Sequence, residues 1–369
     1  MNIKNKLNIL FVSNRKPFKG SGPHYSMRNQ SFFMSKINNV MWYNLNNSTD
    51  QYWEETEIYY NTKSFPDKKI SKLPSPFSNP DIVIFQGFYE YGTERIIREV
   101  KKRKIPYIIV PRSSLTKQSQ QQRWFKKKLA NFLIFNKFAK NASAIQYLTN
   151  QEKLDSGTKW NKESFVVPNG IMTPKKVEMS FNNDKLRGLY IGRLDMNHKG
   201  LDLLIESVSN NKDLFHRMNH EIHLYGPESI NTQISLIKNL INKYGLENII
   251  KLKGPVYGLD KEKTILKYDY FIMTSRFEGH PMGLIEALSY GLPVFITRGT
   301  NMYDEVKKYN AGWVCETNVD SISKGIIEMT NNLESFKAKS IGSKELSRKY
   351  LWEKISKETV NNIKDLILR

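Results

Sequence analysis

Short runs of apolar, β-favouring residues alternate with amphipathic stretches along most of this chain. Helical patterns, such as residues 201–208 and 230–243, lie between the runs. Alternation of this kind is typical of parallel sheets whose strands are joined by right-handed helical crossovers. We therefore predict an α/β protein, with strands at residues 7–12, 82–85, 105–110, 144–148, 165–167, 189–191, 222–225, 249–252, 270–273 and 294–296.

The chain is long enough for two such sheets. It has 369 residues, 39% of them hydrophobic, and a chain of this length ordinarily divides into two domains. Pro168-Asn169-Gly170-Ile171 and the polar stretch over residues 173–185 interrupt the alternation as a linker does. We predict a Rossmann-like domain over residues 1–172 and a second over residues 173–349. The amphipathic helix predicted over residues 350–369 is expected to pack back on the first domain.

Lysine and arginine outnumber aspartate and glutamate by 57 to 36, which gives a formal net charge of +21. Nucleic acid, an anionic membrane face and anionic small substrates each fit such an excess, and composition does not choose among them. Cys315 is the only cysteine, which excludes an intramolecular disulfide and a cysteine-based zinc site and fits a reducing compartment. No signal peptide or bilayer-spanning run is evident, so we expect a cytoplasmic protein.

The most informative segment covers residues 275–288, directly after the predicted strand at 270–273. Pro281 and Gly283 suit a loop that opens into a helix from about Met282 to Gly291. The backbone N–H groups of residues 282–284 would then face the carboxyl edge of the sheet. Open α/β folds bind ligands at this edge, and a helix N-terminus there favours an anion.

Two carboxylates accompany this predicted anion site. Glu278 would lie in the loop and Glu286 about one turn into the helix, so each could accept hydrogen bonds from hydroxyl groups on a different part of one elongated ligand. A phosphate between two hydroxyl-bearing groups describes a nucleotide sugar. The alternative is that Glu278 is a solvated loop residue and that Glu286 only stabilises the start of the helix.

A second group of candidates follows the predicted strand over residues 189–191. Gly192 permits a tight turn, and Arg193 and Lys199 place two cations near the same strand end, where they could neutralise a diphosphate. A basic loop after a strand is also commonly just solvated, so this motif is informative mainly in combination with the first.

Together the motifs resemble those of the retaining glycosyltransferases of family four, the group 1 glycosyltransferases. The resemblance is specific over about residues 165–315 and looser before them, and it implies the GT-B fold, with two Rossmann-like domains facing across a cleft. It rests on Pro168-Asn169-Gly170-Ile171, Gly192-Arg193, Lys199-Gly200, Glu278-Gly279, Glu286 after seven intervening residues, and Gly291-Leu292-Pro293-Val294.

The resemblance implies roles for individual residues. Arg193 and Lys199 would bind the donor diphosphate, Glu286 the ribose hydroxyls, and Glu278 hydroxyls of the transferred sugar. Arg112 joins Arg193, Lys199 and Glu278 as a candidate catalytic residue. The other predicted donor contacts are Gly22, Gly192, His280 and the backbone around Met282, Gly283 and Leu284.

The first half contributes fewer candidates. Gly20-Ser21-Gly22 resembles the glycine-containing loop that approaches the donor phosphates in this family, although Ser21 splits the usual glycine pair. Many relatives have a histidine where this chain has Arg112, and an arginine there could offset charge on the phosphate or position an acidic acceptor. His24 lies in a predicted cleft loop, where it could contact donor or acceptor or be a plain surface residue.

The function implied by the resemblance is that of a retaining, metal-independent, hexosyltransferase-type enzyme (EC 2.4). It would move a sugar from a nucleotide-diphosphate sugar, with UDP favoured, to a glycan or lipid-linked acceptor in bacterial surface polysaccharide or cell-wall glycan synthesis. We expect no cofactor, because the nucleotide sugar is a substrate, and no metal site. A nucleotide-sugar epimerase on the same fold is the nearest alternative.

The densest basic stretch covers residues 101–140, where aromatic residues such as Trp124 and Phe125 lie among the lysines. A helix over residues 122–140 would have an apolar face and a cationic rim. Such a helix either docks on the anionic inner face of the plasma membrane or packs on the core with its lysines in solvent. A non-enzymatic nucleic-acid-binding protein would explain the charge but not Glu278 or Glu286, so we expect no nucleic-acid partner.

Overall fold

The computed structural model describes residues 6–19, 21–172, 181, 185–227 and 233–368. The chain forms two compact units, each with its own parallel sheet. The first unit contains residues 1–18, 23–170 and 352–369, and the second contains residues 19–22 and 171–351. Gly20 and most of the predicted linker over residues 173–185 lie outside the described residues.

The first unit has a seven-stranded sheet in the order β3-β2-β1-β4-β5-β6-β7. Neighbouring strands are parallel, so helical crossovers must join them. The strands are β1 (Asn8–Ser13), β2 (Asn39–Asn44), β3 (Tyr59–Asn61), β4 (Ile82–Gln86), β5 (Tyr107–Val110), β6 (Ala144–Tyr147) and β7 (Ser164–Val166). The helices are α1 (Gly22–Ser35), α2 (Gln51–Glu54), α3 (Glu94–Lys102), α4 (Lys117–Gln121), α5 (Trp124–Ala130), α6 (Asn136–Lys140) and α7 (Asn150–Ser156).

Two shorter helical segments complete this part of the unit. A 3₁₀ turn covers Ile70–Lys72, and a π-helical segment, Asn131–Phe135, joins α5 to α6 without a break. The helix predicted over residues 122–140 therefore begins at Trp124 and reaches Lys140.

The second unit has a six-stranded parallel sheet in the order β10-β9-β8-β11-β12-β13. Its strands are β8 (Arg187–Ile191), β9 (Glu221–Tyr225), β10 (Ile250–Gly254), β11 (Tyr270–Met273), β12 (Val294–Thr297) and β13 (Gly312–Cys315). Its helices are α8 (Leu201–Asn210), α9 (Lys212–Arg217), α10 (Gln233–Lys243), α11 (Gly258–Ile265), α12 (Met282–Ser289), α13 (Tyr303–Lys308), α14 (Val319–Thr330) and α15 (Ser335–Ser347), with 3₁₀ turns at Arg298–Thr300 and Arg348–Tyr350.

Both faces of each sheet are covered, as a parallel sheet requires. Along β1, Leu10 and Val12 belong to one apolar cluster, whereas Ile9 and Phe11 belong to another on the opposite face. This period of two is the pattern that a strand buried on both sides must show. No helix in the described part of the chain combines the length and apolar character needed to cross a membrane.

The last helix, α16 (Trp352–Leu368), belongs to the first unit. Val360 and Ile363 pack in the cluster that contains Ile9 and Phe11. The Trp352 ring lies over Gly170, where an added Cβ would come 2.4 Å from the ring. The chain thus leaves the first unit after Gly170 and re-enters it at Trp352.

The predicted α/β fold is confirmed. Three of the observed strands, β2, β3 and β13, were not predicted from the sequence. β2 lies beside β1, and β3 and β13 lie at the sheet edges. The helix predicted to reach Gly291 ends at Ser289, and Gly291 adopts a positive φ of 83° that favours glycine.

Candidate active site

The site residues of the second unit lie at the carboxyl ends of β8 and β11, which are neighbours at the centre of the sheet. From β8 the chain crosses over toward β9, and from β11 it crosses over toward β12 on the other side. Crossovers that diverge in this way leave a crevice beyond the strand ends, where open α/β sheets bind ligands. Residues 192–200 follow β8, and residues 274–281 follow β11.

The turn after β8 depends on close backbone packing. The Tyr190 hydroxyl donates a hydrogen bond to the Arg193 carbonyl oxygen at 2.8 Å. Gly200 has a φ of +60°, and an added Cβ would come 2.1 Å from the Thr274 carbonyl oxygen. The Asp195 carboxylate accepts a hydrogen bond from the His198 backbone N–H at 2.9 Å. The two hydrogen bonds lie within the turn, and the close approach at Gly200 places the turn against Thr274, the first residue after β11.

Lys199 and Glu278, from the two different turns, form an ion pair. Their side chains are only 12% and 9% exposed. The Ser275 hydroxyl also donates a hydrogen bond to the Glu278 carboxylate, at 2.7 Å. Burial opposes ionisation of Glu278, but the charge of Lys199 and these hydrogen bonds outweigh it, and its pKa lies below the usual 4.5. Glu278 is therefore a carboxylate at neutral pH.

His198 connects the same two turns. Its Nε2 lies 2.8 Å from the Phe277 carbonyl oxygen, which only accepts hydrogen bonds, so Nε2 carries the proton. Nδ1 is then an acceptor, and Arg193 Nη2 donates to it at 3.0 Å. The ring also stacks on Phe277, with centroids 4.2 Å apart. The role of His198 was not predicted, although this residue lies beside Lys199 in the motif.

The start of α12 approaches the end of β8. An added Cβ on Gly283 would come 2.7 Å from the Ile191 carbonyl oxygen, so only glycine allows this approach. Pro281 is the N-cap residue and provides no side-chain cap. The Leu284 N–H bonds back to the Pro281 carbonyl oxygen at 3.2 Å, which leaves Met282 and Gly283 as the better-placed donors for a bound anion.

Glu286 lies on α12 and pairs with Lys261 of α11. Both side chains are partly exposed, at 27% and 20%, so this pair is more accessible than Lys199 and Glu278. The contact with Lys261 was not predicted, because nothing in the spacing of the two residues indicates that α11 and α12 approach each other.

The other predicted donor residues of this unit occupy different surroundings. Gly192 approaches its own strand, where an added Cβ would come 2.7 Å from the Tyr190 hydroxyl. Gly22 lies beside Met282, with 3.2 Å between an added Cβ and Met282 Cγ. His280 is buried and packs against Tyr350, and burial lowers its pKa to about 3, so the ring is neutral. Donor contact by these residues stays a prediction.

Arg112 lies after β5 in the first unit and has a left-handed φ of 51°. Its guanidinium donates hydrogen bonds to Ser26 at 2.7 Å, Gln86 at 2.7 Å and Asn169 at 3.2 Å. Burial and the nearby charge of Arg15 lower its pKa to about 9, so Arg112 is still a cation at neutral pH. The structure thus holds this cation at the carboxyl edge of the first sheet.

His24 lies on α1 rather than in a loop, and it is buried. Its ring stacks on Tyr52 and Trp53, and Nε2 lies 3.4 Å from the Asp50 carboxylate. The expectation of a loop position was therefore wrong, and burial also excludes the alternative of a surface histidine. Contact of His24 with an acceptor stays a prediction.

Metal-ligating side chains do not gather in the part of the chain that the structure describes. Within those residues, no three histidine, cysteine, aspartate or glutamate side chains are grouped so that they could hold an ion.

Residues 173–342 match the family model for group 1 glycosyl transferases. The chain is 28% identical over 211 residues to the uncharacterized glycosyltransferase MJ1178 of Methanocaldococcus jannaschii, covering 57% of this chain and 54% of that protein. It is 26% identical over 240 residues to a Staphylococcus aureus poly(ribitol-phosphate) alpha-N-acetylglucosaminyltransferase, covering 63% and 45% of the two chains. The chain spans about half the length of these curated relatives.

A solved structure resembles the chain along nearly its whole length. The complex of Anabaena Alr3699/HepE with UDP has a TM-score of 0.74 at 12% identity, covering 97% of this chain and 100% of that one. Similarity at this identity shows a shared fold. The fold is therefore GT-B, and residues 173–342 are similar to the group 1 glycosyl transferases, as the sequence motifs predicted.

Proposed function

We propose that this protein is a glycosyltransferase (EC 2.4) that moves a sugar from a UDP-sugar to a glycan or lipid-linked acceptor with retention of anomeric configuration. The observation that carries the proposal is the largely buried pair of Lys199 and Glu278, built from two turns at the centre of the sheet beside the start of α12. A cation and a carboxylate that are mostly shielded from solvent, together with helix N–H groups, complement a phosphate attached to a polyhydroxyl group.

The positively charged side chains of the site would stabilise the leaving diphosphate. Transfer breaks the bond between the anomeric carbon and the phosphate oxygen, so negative charge develops on the phosphate. Arg193, Lys199 and the N–H groups of Met282 and Gly283 would stabilise that charge from fixed positions. His198 contributes by holding the Arg193 guanidinium, since its neutral Nδ1 accepts from Nη2.

The carboxylates would bind the hydroxyl groups on either side of the diphosphate. Glu278 already accepts hydrogen bonds from Lys199 and Ser275 and has further lone pairs for hydroxyls of the transferred sugar. Glu286, on the partly exposed surface of α12, would accept from the two ribose hydroxyls in place of Lys261. The bond to the acceptor oxygen then forms on the face that the phosphate leaves, and the acceptor proton passes to the leaving phosphate oxygen.

The relatives support the choice of donor, product and pathway. The Anabaena HepE structure that shares this fold is a complex with UDP. The name of the Staphylococcus aureus relative describes transfer of an α-linked amino sugar to a poly(ribitol-phosphate) polymer. We propose a UDP-sugar donor, a glycan or lipid-linked acceptor and a role in bacterial surface polysaccharide or cell-wall glycan synthesis on these grounds.

A thermal-shift panel of nucleotide sugars tests the donor assignment. A ligand at about 100 times its Kd stabilises a folded protein by about 2.7 kcal/mol, so a matching UDP-sugar should raise the Tm measurably. GDP- and ADP-sugars should raise it less. The Lys199→Met variant provides the control, because it should lose the shift. The absence of a shift with every nucleotide sugar would contradict the proposal.

Product analysis tests the reaction itself. Incubation with the stabilising donor and an acceptor should release UDP and form a glycoside of the same anomeric configuration, as proton NMR can determine. An isomerised donor without UDP release would identify an epimerase instead. Rates should be unchanged by a chelator, because we propose that transfer needs no metal.

A further inference from the structure

The crossover between β5 and β6 of the first unit presents apolar side chains to solvent. Trp124, Phe125, Phe132 and Leu133 are each at least 60% exposed, and Leu129 is 55% exposed. They lie on α5 and the π-helical segment that follows it. Exposed aromatic and aliphatic residues gathered in this way mark an interaction surface more often than isolated ones do. We call the exposed side of residues 117–140 the basic-aromatic face.

The opposite side of the same segment is firmly packed. Phe135 and Phe138 are 2% exposed and belong to the main apolar cluster of the first unit. The Tyr89 hydroxyl donates a hydrogen bond to the Asn131 side chain at 2.8 Å. Because these contacts fix the orientation of the segment, its exposed apolar side chains cannot turn inward to join the core. The alternative of a helix that packs its apolar face on the core therefore holds for Phe135 and Phe138 but not for the exposed aromatic and leucine residues.

The charged residues around the exposed aromatic side chains are all basic. Residues 101–140 contain no aspartate or glutamate. Lys127 is turned inward, where it donates to the Ser119 backbone and side chain. Cations that remain exposed on this stretch include Lys117, Arg123, Lys126, Lys128, Lys137 and Lys140.

We propose that the basic-aromatic face docks on the surface of an anionic lipid bilayer. Lysine and arginine side chains attract acidic headgroups, and exposed aromatic and leucine side chains enter the boundary between headgroups and acyl chains. A second copy of this chain is a poorer partner for the same face, because two faces that carry only cations repel each other. The proposal does not depend on the transferase activity.

Nucleic acid is disfavoured as a partner by the mixture of side chains. Leu129 and Leu133 are exposed among the aromatic residues, and aliphatic side chains offer no stacking surface for bases. The interfacial layer of a membrane accepts both kinds of apolar side chain. The same face therefore fits a bilayer better than a single strand.

Vesicle sedimentation tests the proposal with the full chain. The protein should bind phosphatidylcholine vesicles that contain phosphatidylglycerol, and binding should fall as salt is added. Vesicles of phosphatidylcholine alone should bind at least about tenfold more weakly, since each nearby lysine or arginine adds about fivefold to the partition coefficient. Equal binding to the two kinds of vesicle would overturn the proposal.

Paired variants locate the binding face. Lys126→Gln with Lys128→Gln, and separately Trp124→Ser with Phe132→Ser, should each lower binding to the anionic vesicles about tenfold or more. The matched controls are Lys307→Gln with Lys308→Gln on α13 and Ile341→Ser on α15, all exposed in the second unit. These controls should bind like the unaltered chain. Circular dichroism should show all four variants folded, because every altered side chain is exposed.

Three further results would reject the bilayer as the partner of the basic-aromatic face. One is equal loss of vesicle binding in the variants and their controls. Another is concentration-dependent self-association that Phe132→Ser abolishes, which would make the face an interface between copies. The third is salt-sensitive oligonucleotide binding through the same residues without vesicle binding.

Discussion

The protonation state of His198 determines how the Arg193 guanidinium is held. Its Nε2–H bonds to Phe277, so Nδ1 is free to accept from Arg193. Burial lowers the pKa of the imidazole below 6.5, with further lowering by Lys199 and Arg193 against the opposite effect of Glu278. The ring is neutral at pH 7, and a second proton on Nδ1 would face the guanidinium and repel it.

Replacement of His198 should therefore loosen Arg193. We expect His198→Ala to weaken UDP binding about tenfold, because a hydrogen bond to a charged group contributes about 1.5 kcal/mol or more. Isothermal titration calorimetry measures the effect. The His216→Ala variant, a histidine of α9 away from these turns, should bind UDP normally. Unaltered affinity in His198→Ala would show that Arg193 is held by other contacts.

The buried pair makes a prediction about stability as well as activity. Lys199→Met should leave the Glu278 charge without its partner and cost about 3 kcal/mol in the free energy of unfolding. Transfer should fall by orders of magnitude. Adding Glu278→Gln should recover most of the stability, because the unpaired charge is gone, but none of the activity.

Urea denaturation and UDP release measure these two effects separately. The control is Lys185→Met, which breaks the more exposed pair with Glu221 in the same unit and should cost less than about 1 kcal/mol. If Lys199→Met were no more destabilising than this control, the pair would not be energetically important.

The same pair should give the protein a characteristic acid sensitivity. The folded-state pKa of Glu278 is lowered from 4.5, so the folded protein holds fewer protons on this group than the unfolded chain does. Its contribution to stability is complete above pH 4.5 and is lost as pH falls through the lower pKa. The difference in unfolding free energy between the unaltered chain and Glu278→Gln should shrink over that acidic range, and a constant difference would contradict this account.

Sequence spacing located some site residues and could not locate others. Arg193, Lys199 and Glu278 follow strands directly, and the carboxyl ends of neighbouring parallel strands meet at one edge, so their proximity was predictable. Lys261 belongs to another crossover, and only the packing of α11 near α12 brings it to Glu286. The tautomer of His198 depends on a carbonyl 79 residues away. No local pattern encodes either contact.

At the scale of elements, the close approach of the start of α12 to the end of β8 requires a glycine at position 283. Gly283→Ala would place a methyl group 2.7 Å from the Ile191 carbonyl oxygen, so α12 or the end of β8 must move. We expect destabilisation of about 1–3 kcal/mol and a loss of UDP affinity of about tenfold, because the N–H groups move with the helix.

Gly254→Ala is the matched control. That position has open space around it and a φ of +73°, so the change should cost about 1–2 kcal/mol in backbone strain and leave UDP affinity unaltered. Calorimetric titration of both variants compares them directly. Equal UDP affinities would mean that α12 does not need its close approach to β8.

The unpredicted strands show why strands at a sheet edge, or next to it, are hard to recognise. β3 has only three residues, and β13 begins at Gly312, whose added Cβ would come 1.8 Å from the Val294 carbonyl oxygen. β2 combines Trp42 and Tyr43 with asparagine at both ends. Their strand conformation depends on pairing with β1, β2 and β12 more than on local propensity.

At the scale of the whole molecule, α16 returns the end of the described chain to the first unit. Trp352→Ala should remove the ring that lies over Gly170 and packs with Val167, at a cost of about 3–5 kcal/mol. Trp124→Ala is the control, since that side chain is 60% exposed and its loss should change stability by less than about 0.5 kcal/mol. Urea denaturation followed by circular dichroism compares the two, and similar midpoints would show that α16 contributes little.

The discontinuity of the first unit bears on how the protein is made. Residues 171–351 are one uninterrupted stretch, so the ribosome finishes the second unit before it has synthesised α16. Until then, the apolar surface that receives Val360 and Ile363 has no cover, although the strands beneath it were translated before the second unit. The first unit thus starts to emerge before the second and is completed after it, and a nascent chain stalled before Trp352 should be a substrate for chaperones.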